Sequence, residues 1–534
     1  MGDAATYDYV IVGAGSAGCV LAGRLTEDPE VRVALLDAGG PDNRPEAHIP
    51  FLWPLLLKSS YDWDLLGEAE PGLNGRRLYL PRGKMLGGCS SINAMIYIRG
   101  NRVDYDDWAA GGAAGWSYDE VLPYFRRAES NERGESEFHG ADGPMKVSEG
   151  RSRNALVDTM LEAARAAGHE ANPDFNGARQ EGVGYFQLTQ RGGYRESTAD
   201  AYLRPALSRP NLTVITSAMA NRILFVGTRA TGVEIARDGQ LEQLHAETEV
   251  IVSAGTYQSP VLLMLSGIGP AEQLAPWGIE LLEELPVGEN LQDHPMAQLN
   301  WSAAGGSLFD APAPENFARF EADQTGPLSS NIPEAAGFFR TRAGLDAPDV
   351  QFHFAPSLLA DEGLAPPSGH GYCFGPVAVK PASRGRVTLR APVPDAKPRV
   401  LTNFLTHEDD VRSMVAGVRM ALAIAEQQPL RAVSTGAYSV PESDSDSDIE
   451  AWLRAVAHPV YHPTSTCAIG AVVDSDLRVY GFDGLRVVDA SVMPTITSGN
   501  TNSPTLMIAE RASEMIRADR RFLFSLAPVD AMPG

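Results

Sequence analysis

The sequence predicts an α/β protein (α+β overall), and three observations carry that prediction. A β-branched run near the N-terminus leads into spaced glycines, a meander of short strands follows, and alternating strands then give way to amphipathic helices. The first observation is the most specific. Tyr9, Val10, Ile11 and Val12 have the length and branching of a buried parallel strand. Gly13, Gly15 and Gly18 follow in G-x-G-x-x-G spacing. Gly13 permits a tight turn, Gly15 leaves no Cβ between the backbone and a pyrophosphate, and Gly18 lets the next helix pack on the strand. Ala17 to Leu25 reads as that helix, its first N–H groups turned toward the phosphates. A second strand, Val31 to Leu36, ends in Asp37, a carboxylate placed to hydrogen-bond a ribose hydroxyl. Together these features predict a Rossmann-type dinucleotide-binding domain rather than an isolated structural turn.

At 534 residues the chain exceeds what one core accommodates, so two domains or one elaborated domain are predicted. A hydrophobic fraction of 44% with 21% charged residues suits a soluble globular chain. The formal charge of −24 argues against nucleic acid and anionic membrane surfaces as partners. Cys19, Cys89, Cys373 and Cys467 are scattered without CxxC or metal-ligand spacing. No metal site is therefore expected, Cys19 and Cys89 read as small fillers, and a cytoplasmic setting fits. No secretory leader is read ahead of the strand that begins at about Tyr7. The densest apolar stretch, Pro50 to Leu57, is broken by Pro54 and too short to span a bilayer.

Between Pro41 and Leu80 no period is evident, and the segment reads as an extended wrap around the nucleotide domain. Pro81 to Trp108 differs. Its centre, Gly87-Gly88-Cys89-Ser90-Ser91, reads as a flexible polar loop with free N–H groups suited to a second phosphate or a polar ring edge. Arg153 to Gly168 reads as an amphipathic helix, and Asn211 to Val252 as a meander turning at Gly227-Thr228 and Arg237-Asp238-Gly239. Glu249 to Ser253 leads through Ala254-Gly255 into a helix from about Ser259 to Leu265. Beyond His294-Pro295, strands are predicted at Gln298–Ala303, Ala335–Thr341, Val350–Phe354, Gly371–Val379 and Gly385–Leu389. Helices at His407–Gln427 and Ser447–Ala457 follow, which implies a large antiparallel sheet backed by helices. The acidic run Glu442–Asp448 reads as a solvated loop and helix start.

Four long segments, in order, resemble signatures of the glucose–methanol–choline (GMC) oxidoreductase family. They are Pro81–Gly100, Ser253–Pro270 (SAGTYQSPVLLMLSGIGP), YHPTSTCAIG and VVDASVMPTITSGNTNSPTLMIAE. The resemblance spans essentially the whole chain and looks closest to bacterial alcohol and choline dehydrogenases. It implies an FAD-binding domain assembled from 1–152, 196–296 and 460–534, with a substrate domain from 153–195 and 297–459. It also implies FAD contacts along the first glycine loop, at Gly13, Gly15, Ser16, Ala17 and Gly18, and at Asp37 and Ala38 beyond it. Further implied contacts are Arg82, Gly87, Gly88, Asn93, Ala94, Met95 and Ile96 in the second loop. Met219, Ala254, Asp489, Ala490, Asn502, Pro504 and Thr505 complete the set. Some members tether the flavin to a histidine; the matching position is Ile92, so FAD is expected to be non-covalent.

The resemblance also places the chemistry. His462, in Tyr461-His462-Pro463, matches the family's catalytic histidine, and Asn500 matches its partner, which is His or Asn in the family. From its own residues a His before Pro is more often structural, since Pro463 only restricts the backbone. On this reading neutral His462, with an ordinary pKa near ~6.5, takes the proton of a primary alcohol. Hydride then passes to flavin N5 and the aldehyde forms. Asn500 orients the oxygen, and a helix from Ser503-Pro504 to about Ile516 turns its positive end toward the flavin. Glu334 resembles the position that holds a cationic head group and His353 a second histidine, with Tyr461 a further substrate contact. The electron acceptor is a quinone, another carrier or O₂, with Val460 among the residues that bear on the choice. The alternatives are an O₂-using oxidase of the same family and a non-redox lyase or photodecarboxylase, the latter disfavoured by the His462–Asn500 pair. The expected partners are a small alcohol and the acceptor, with no integral membrane segment and oligomerisation open.

Overall fold

The computed structural model describes residues 6–526, so the last residues of the 460–534 segment lie outside it. Two sheets organise the chain. In the first, Thr6–Val12 runs parallel to Val33–Leu36 on one side and to the end of Gln240–Val252 on the other. Val10, Ile11, Val33 and Leu35 are wholly buried, as β-branched and apolar residues in a doubly covered parallel sheet must be. Leu212–Ile215 pairs parallel with Val33–Leu36, so it extends this sheet instead of opening the meander. The meander proper is Met219–Val226, Arg229–Arg237 and Gln240–Val252. It turns at Gly227 and at Asp238-Gly239, where φ of 50° and 76° marks the tight hairpin turn. Leu485–Val487 joins the end of Gln240–Val252 in parallel and brings the C-terminal region to the same edge.

The glycine spacing follows from how closely three segments meet. Gly13 has φ 103°, and a Cβ there would lie 2.4 Å from the Ser253 carbonyl oxygen. A Cβ on Gly18 would lie 1.9 Å from the Gly13 oxygen. The helix Ser16–Leu25 can therefore approach the strand only because both positions lack side chains. It packs against Asn502–Leu526, which overruns the predicted end near Ile516. Arg517 reaches back to Glu27 at 2.8 Å, and Arg520 to the Glu30 carbonyl, tying the added turns to the first helix. Buried Glu510 accepts from Arg24, Arg127 and Tyr202 and locks the same pair of helices.

The stretch from Pro41 to Leu80 holds a helix, Pro45–His48, a 3-10 run, Pro50–Leu56, and a hairpin of Leu65–Ala69 with Arg77–Leu80. Their shortness concealed them in an aperiodic sequence. The loop at Gly87 is also firmer than its composition suggested. Gly88–Ser91 is a 3-10 turn, and the buried Arg195 guanidinium donates to the Ser90 carbonyl and to Asn93.

The second sheet is antiparallel: His458–Pro459, Pro295–Met296, Pro376–Ala378, Val350–Phe354, Ala335–Phe339 and Gly182–Tyr185, in that spatial order. Helix Glu408–Ala425 covers one face, with Gly417 seated against Pro376 and Val350. Strand alternation turns Val350 and Phe352 to that helix and Gln351 and His353 to the opposite face. The single large sheet expected from the sequence is divided. Leu299–Ala303 pairs with Gly371–Phe374 and Ser434–Ser439 in a separate sheet, and Arg386–Thr388 pairs with Arg399–Leu401. The division falls at Gly375, where a Cβ would lie 2.1 Å from the Ala297 oxygen and the ribbon crosses from one sheet to the other.

Gly15 and Gly18 make a test of this packing. A Cβ on Gly15 would meet only the Gly88 Cα, at 4.0 Å. Gly18→Ala is expected to cost on the order of 1–3 kcal/mol or more through overpacking and to lower the thermal midpoint by several degrees. With both variants compared free of cofactor, Gly15→Ala is expected to melt near the wild-type value. Equal midpoints for the two variants would contradict the close approach.

Candidate active site

A long cavity joins the two sheets. Gly13, Gly15, Asp37 and Ala38 line it from the parallel sheet, and Met296, Gln298 and His353 from the antiparallel one, with His462 and Asn500 between. All the predicted cofactor residues line it except Gly18, Gly87 and Pro504. Gly18 is spent on packing against Gly13, and Gly87 turns the second loop with φ 84°. Pro504 lies within the first turn of Asn502–Leu526 while its neighbours Asn502 and Thr505 reach the cavity.

The Asp37 carboxylate is already engaged. Its Oδ2 accepts from the Ala14 N–H at 2.8 Å and its Oδ1 from the Gly39 N–H at 2.7 Å. Burial raises its pKa to about 6. Each oxygen retains a second lone pair, so a ribose hydroxyl adds to these bonds without displacing them. Cys19 is a filler beneath the loop, bonded to the Ala14 carbonyl. Cys89 is among the residues that line the cavity. Arg82 also lines the cavity and donates to the Tyr461 carbonyl at 2.7 Å. Ile92 lines it too and carries no nucleophile.

The two predicted catalytic residues meet. Asn500 Nδ2 lies 3.0 Å from His462 Nε2. Gln351 Nε2 donates to Asn500 Oδ1 at 3.2 Å, which orients the amide. On the far side, His462 Nδ1 lies 3.1 Å from His294 Nδ1, and His294 Nε2 lies 3.1 Å from the Val379 carbonyl. A carbonyl only accepts, so His294 must donate from Nε2 and accept at Nδ1. His462 then donates from Nδ1, and its Nε2 carries the lone pair. One set of tautomers satisfies the whole chain.

Asp293 fixes the backbone around this pair. Its Oδ1 accepts from the N–H groups of His462 at 2.7 Å and His294 at 2.8 Å. Tyr461, immediately before His462, takes φ 69°, a strained conformation that aims the following ring. Burial pushes the His462 pKa well below 6.5, with His294, His353 and Arg82 adding in the same direction. The ordinary imidazole pKa expected from the sequence is thus corrected by desolvation. Burial likewise lowers His294 to about 3 and His353 to about 4, while it raises Asp293 to about 7.

Of the expected substrate residues, His353 and Tyr461 line the cavity and Glu334 does not. The Glu334 carboxylate is bonded to the Asn154 N–H at 3.0 Å and to the Ser330 hydroxyl at 2.7 Å, so it ties down two loops. His294, Arg195 and Gln351 had no assigned role in the sequence. Only the polar triplet Gln292-Asp293-His294, set between Leu291 and Pro295, hinted at a constrained site.

The chain matches the GMC oxidoreductase N-terminal model over residues 7–296 and the C-terminal model over residues 381–509. It is 44% identical over 525 residues to an uncharacterised GMC-type oxidoreductase of Mycobacterium bovis, covering 96% of this chain and 99% of that protein. It is 43% identical to the mitochondrial choline dehydrogenase of Homo sapiens, covering 96% and 90%. To the alcohol dehydrogenase [acceptor] of Pseudomonas putida it is 41% identical, covering 96% and 95%. Among solved structures, pyridoxine 4-oxidase from Mesorbium loti superposes with TM-score 0.88 at 29% identity, covering 96% and 99%. A mutant of Aspergillus oryzae formate oxidase, solved for the effect of the mutation on FAD modification, superposes at 0.91 and 26% identity, covering 98% and 100%. A fold, a cavity and two family models thus agree, and the chain belongs to the GMC oxidoreductase family of FAD-dependent enzymes.

Proposed function

We propose that this enzyme oxidises a primary alcohol to the aldehyde, with His462 as general base. The observation that carries the reading is the tautomer chain, which leaves the His462 Nε2 lone pair beside an Asn500 N–H at the cavity wall. A hydroxyl that takes the place of the direct Asn500–His462 bond donates its proton to His462 Nε2 and accepts from Asn500 Nδ2. Gln351 keeps the Asn500 amide from turning over, and His294 keeps the lone pair of His462 on the nitrogen that faces the alcohol. As His462 gains a proton, Asp293 holds the backbone on which the ring stands.

The residues present fit FAD. The side-chain-free approach of Gly15 to Gly88 forms a cradle, Asp37 stands at the strand end, and the buried hydroxyl of Ser253 and amide oxygen of Gln258 lack partners at the cavity wall. Gly13, Ser16 and Asp37 would hold the adenosine and pyrophosphate end, and Asn93, Ala94 and Asn502 the ring end. Asn93 and Ala94 are themselves fixed, by Arg195 and by Asn331. When bound, FAD supplies the hydride acceptor. With Ile92 at the family's tethering position, the cofactor is non-covalent. The N-terminus of Asn502–Leu526 offers that group positive potential. The terminal acceptor is a quinone, another carrier or O₂, since the relatives include both acceptor-dependent and oxygen-dependent enzymes. Four free cysteines fit a cytoplasmic setting. Among the described residues no helix is long and apolar enough to cross a membrane.

Two measurements test the reading. Neutral His462 is the active form and its pKa lies below 6.5. The value of kcat/KM is therefore expected to be level from about pH 6.5 upward and to fall only as acid protonates His462. A rise centred above pH 7 would assign the base elsewhere. Second, His294→Leu is expected to lower kcat about 10–100-fold, as loss of an orienting partner does, with FAD content retained. His294→Gln, which restores an acceptor for His462 Nδ1–H, is expected to recover most of that loss. No recovery would reduce His294 to packing.

A further inference from the structure

We propose that Gln298 and His353 form a hydrogen-bonding subsite that selects alcohols carrying a second hydroxyl group over alkyl alcohols of the same length. The proposal rests on the alcohol-oxidising reading above and adds the substrate class. Strand register brings the two residues together. Met296 pairs with Val377, and Gln351 pairs with the same Val377 from the other side. Leu299 pairs with Phe374 and Ala355 bridges Cys373, so Gln298 and His353 lie on either side of Gly375, where the ribbon passes between the two sheets. A Cβ on Gly375 would lie 3.2 Å from the Gln298 Cα, which confirms the adjacency. Gly375 contributes no side chain, so only its backbone stands between Gln298 and His353, and both line the cavity.

Both residues are more than nine-tenths buried, at 7% and 5% exposure, and both line the cavity. Gln298 Oε1 and His353 Nε2 have no hydrogen-bond partner. The other end of the Gln298 amide rests on Met296 Sδ at 3.1 Å, a weak acceptor that sets its orientation without satisfying it. Gln351 donates to Asn500, while its own Oε1 and the Tyr461 hydroxyl are also without partners. Burial keeps His353 neutral, so its imidazole donates or accepts as a hydroxyl requires. Buried polar atoms left unpaired are costly, and a ligand group that pairs them is selected over one that cannot. His353 stands two residues beyond Gln351, about 7 Å along the strand. The second hydroxyl therefore lies a short carbon chain away from the carbinol held by His462 and Asn500.

The test compares α,ω-diols of three to six carbons with n-alkanols of matching heavy-atom count on the FAD-loaded enzyme, following flavin absorbance anaerobically. After allowance for the two equivalent carbinols, the best diol is expected to exceed its alkanol by at least about tenfold in kcat/KM. Gln298→Met keeps the length and removes the hydrogen bonds, and is expected to bring that ratio toward unity. The same diol is expected to raise the thermal midpoint of the wild type more than that of the variant. Parity of diol and alkanol in the wild type at every length overturns the subsite and leaves the alcohol reading standing. An unchanged ratio in Gln298→Met also overturns it. Failure of every diol and alkanol to bleach the flavin removes the alcohol reading, and the subsite with it. Should Gln298→Met fail to hold FAD, the wild-type comparison decides alone.

Discussion

The hydrogen-bond chain from the Val379 carbonyl through His294, His462 and Asn500 to Gln351 is the constraint on which the site depends. Its two ends are anchored in one sheet: Gln351 lies within Val350–Phe354, and Val379 follows Pro376–Ala378. The central members arrive from elsewhere, His294 from the segment before Pro295–Met296, His462 from the C-terminal region and Asn500 from the approach to the last helix. A sheet with fixed register thus clamps side chains that the sequence separates widely. The direction of the chain is set at one end. A carbonyl cannot donate, and that single fact propagates through two imidazoles to put a lone pair on His462 Nε2.

The same economy governs the other sheet. Strand Thr6–Val12, helix Ser16–Leu25 and the Ser253 turn converge at a point with no room for a methyl group, and Gly13 and Gly18 are the consequence. Gly15 and Gly88 bring a second close approach from a different part of the chain. Arg195 then holds the Gly88 loop through backbone and amide oxygens. Burial pulls its pKa down to about 9, so the loop is fixed by a cation with no carboxylate bonded to it. The two glycine-rich loops are one cradle, joined by contacts that span most of the N-terminal half.

What was legible in the sequence was what is local. The Tyr9–Gly18 turn, the meander from Met219 and the strand Val350–Phe354 declare themselves through short-range period and turn residues. Resemblance brought His462 and Asn500, which do meet in the structure. The Pro41–Leu80 elements were too short to show a period. The break at Gly375 depends on the Ala297 carbonyl, and His294 matters because of Val379; neither relation leaves a mark on neighbouring residues. Glu334, which the resemblance set at a cationic head group, has its carboxylate bonded to the Asn154 N–H and the Ser330 hydroxyl, relations across loops that the local sequence does not show. The pKa of His462 belongs with the illegible features, because desolvation is a property of the assembled cavity.

A base whose pKa lies well below 6.5 is a poor proton acceptor on its own, and the site has to overcome that. Burial penalises the imidazolium, and His294, His353 and Arg82 surround it without a bonded counter-charge. The proposed chemistry resolves the conflict electrostatically. On that proposal bound FAD would supply the acceptor for the electron pair leaving the carbinol carbon, and negative charge would arise in the cavity as His462 takes the hydroxyl proton. The cation and that charge lie within one water-poor cavity, where their attraction is strong. On the proposed reading His462 would be weakly basic at rest and would gain basicity as the alcohol is oxidised. A resting imidazolium, which could not accept the proton, is avoided by the same burial that makes the later ion pair favourable.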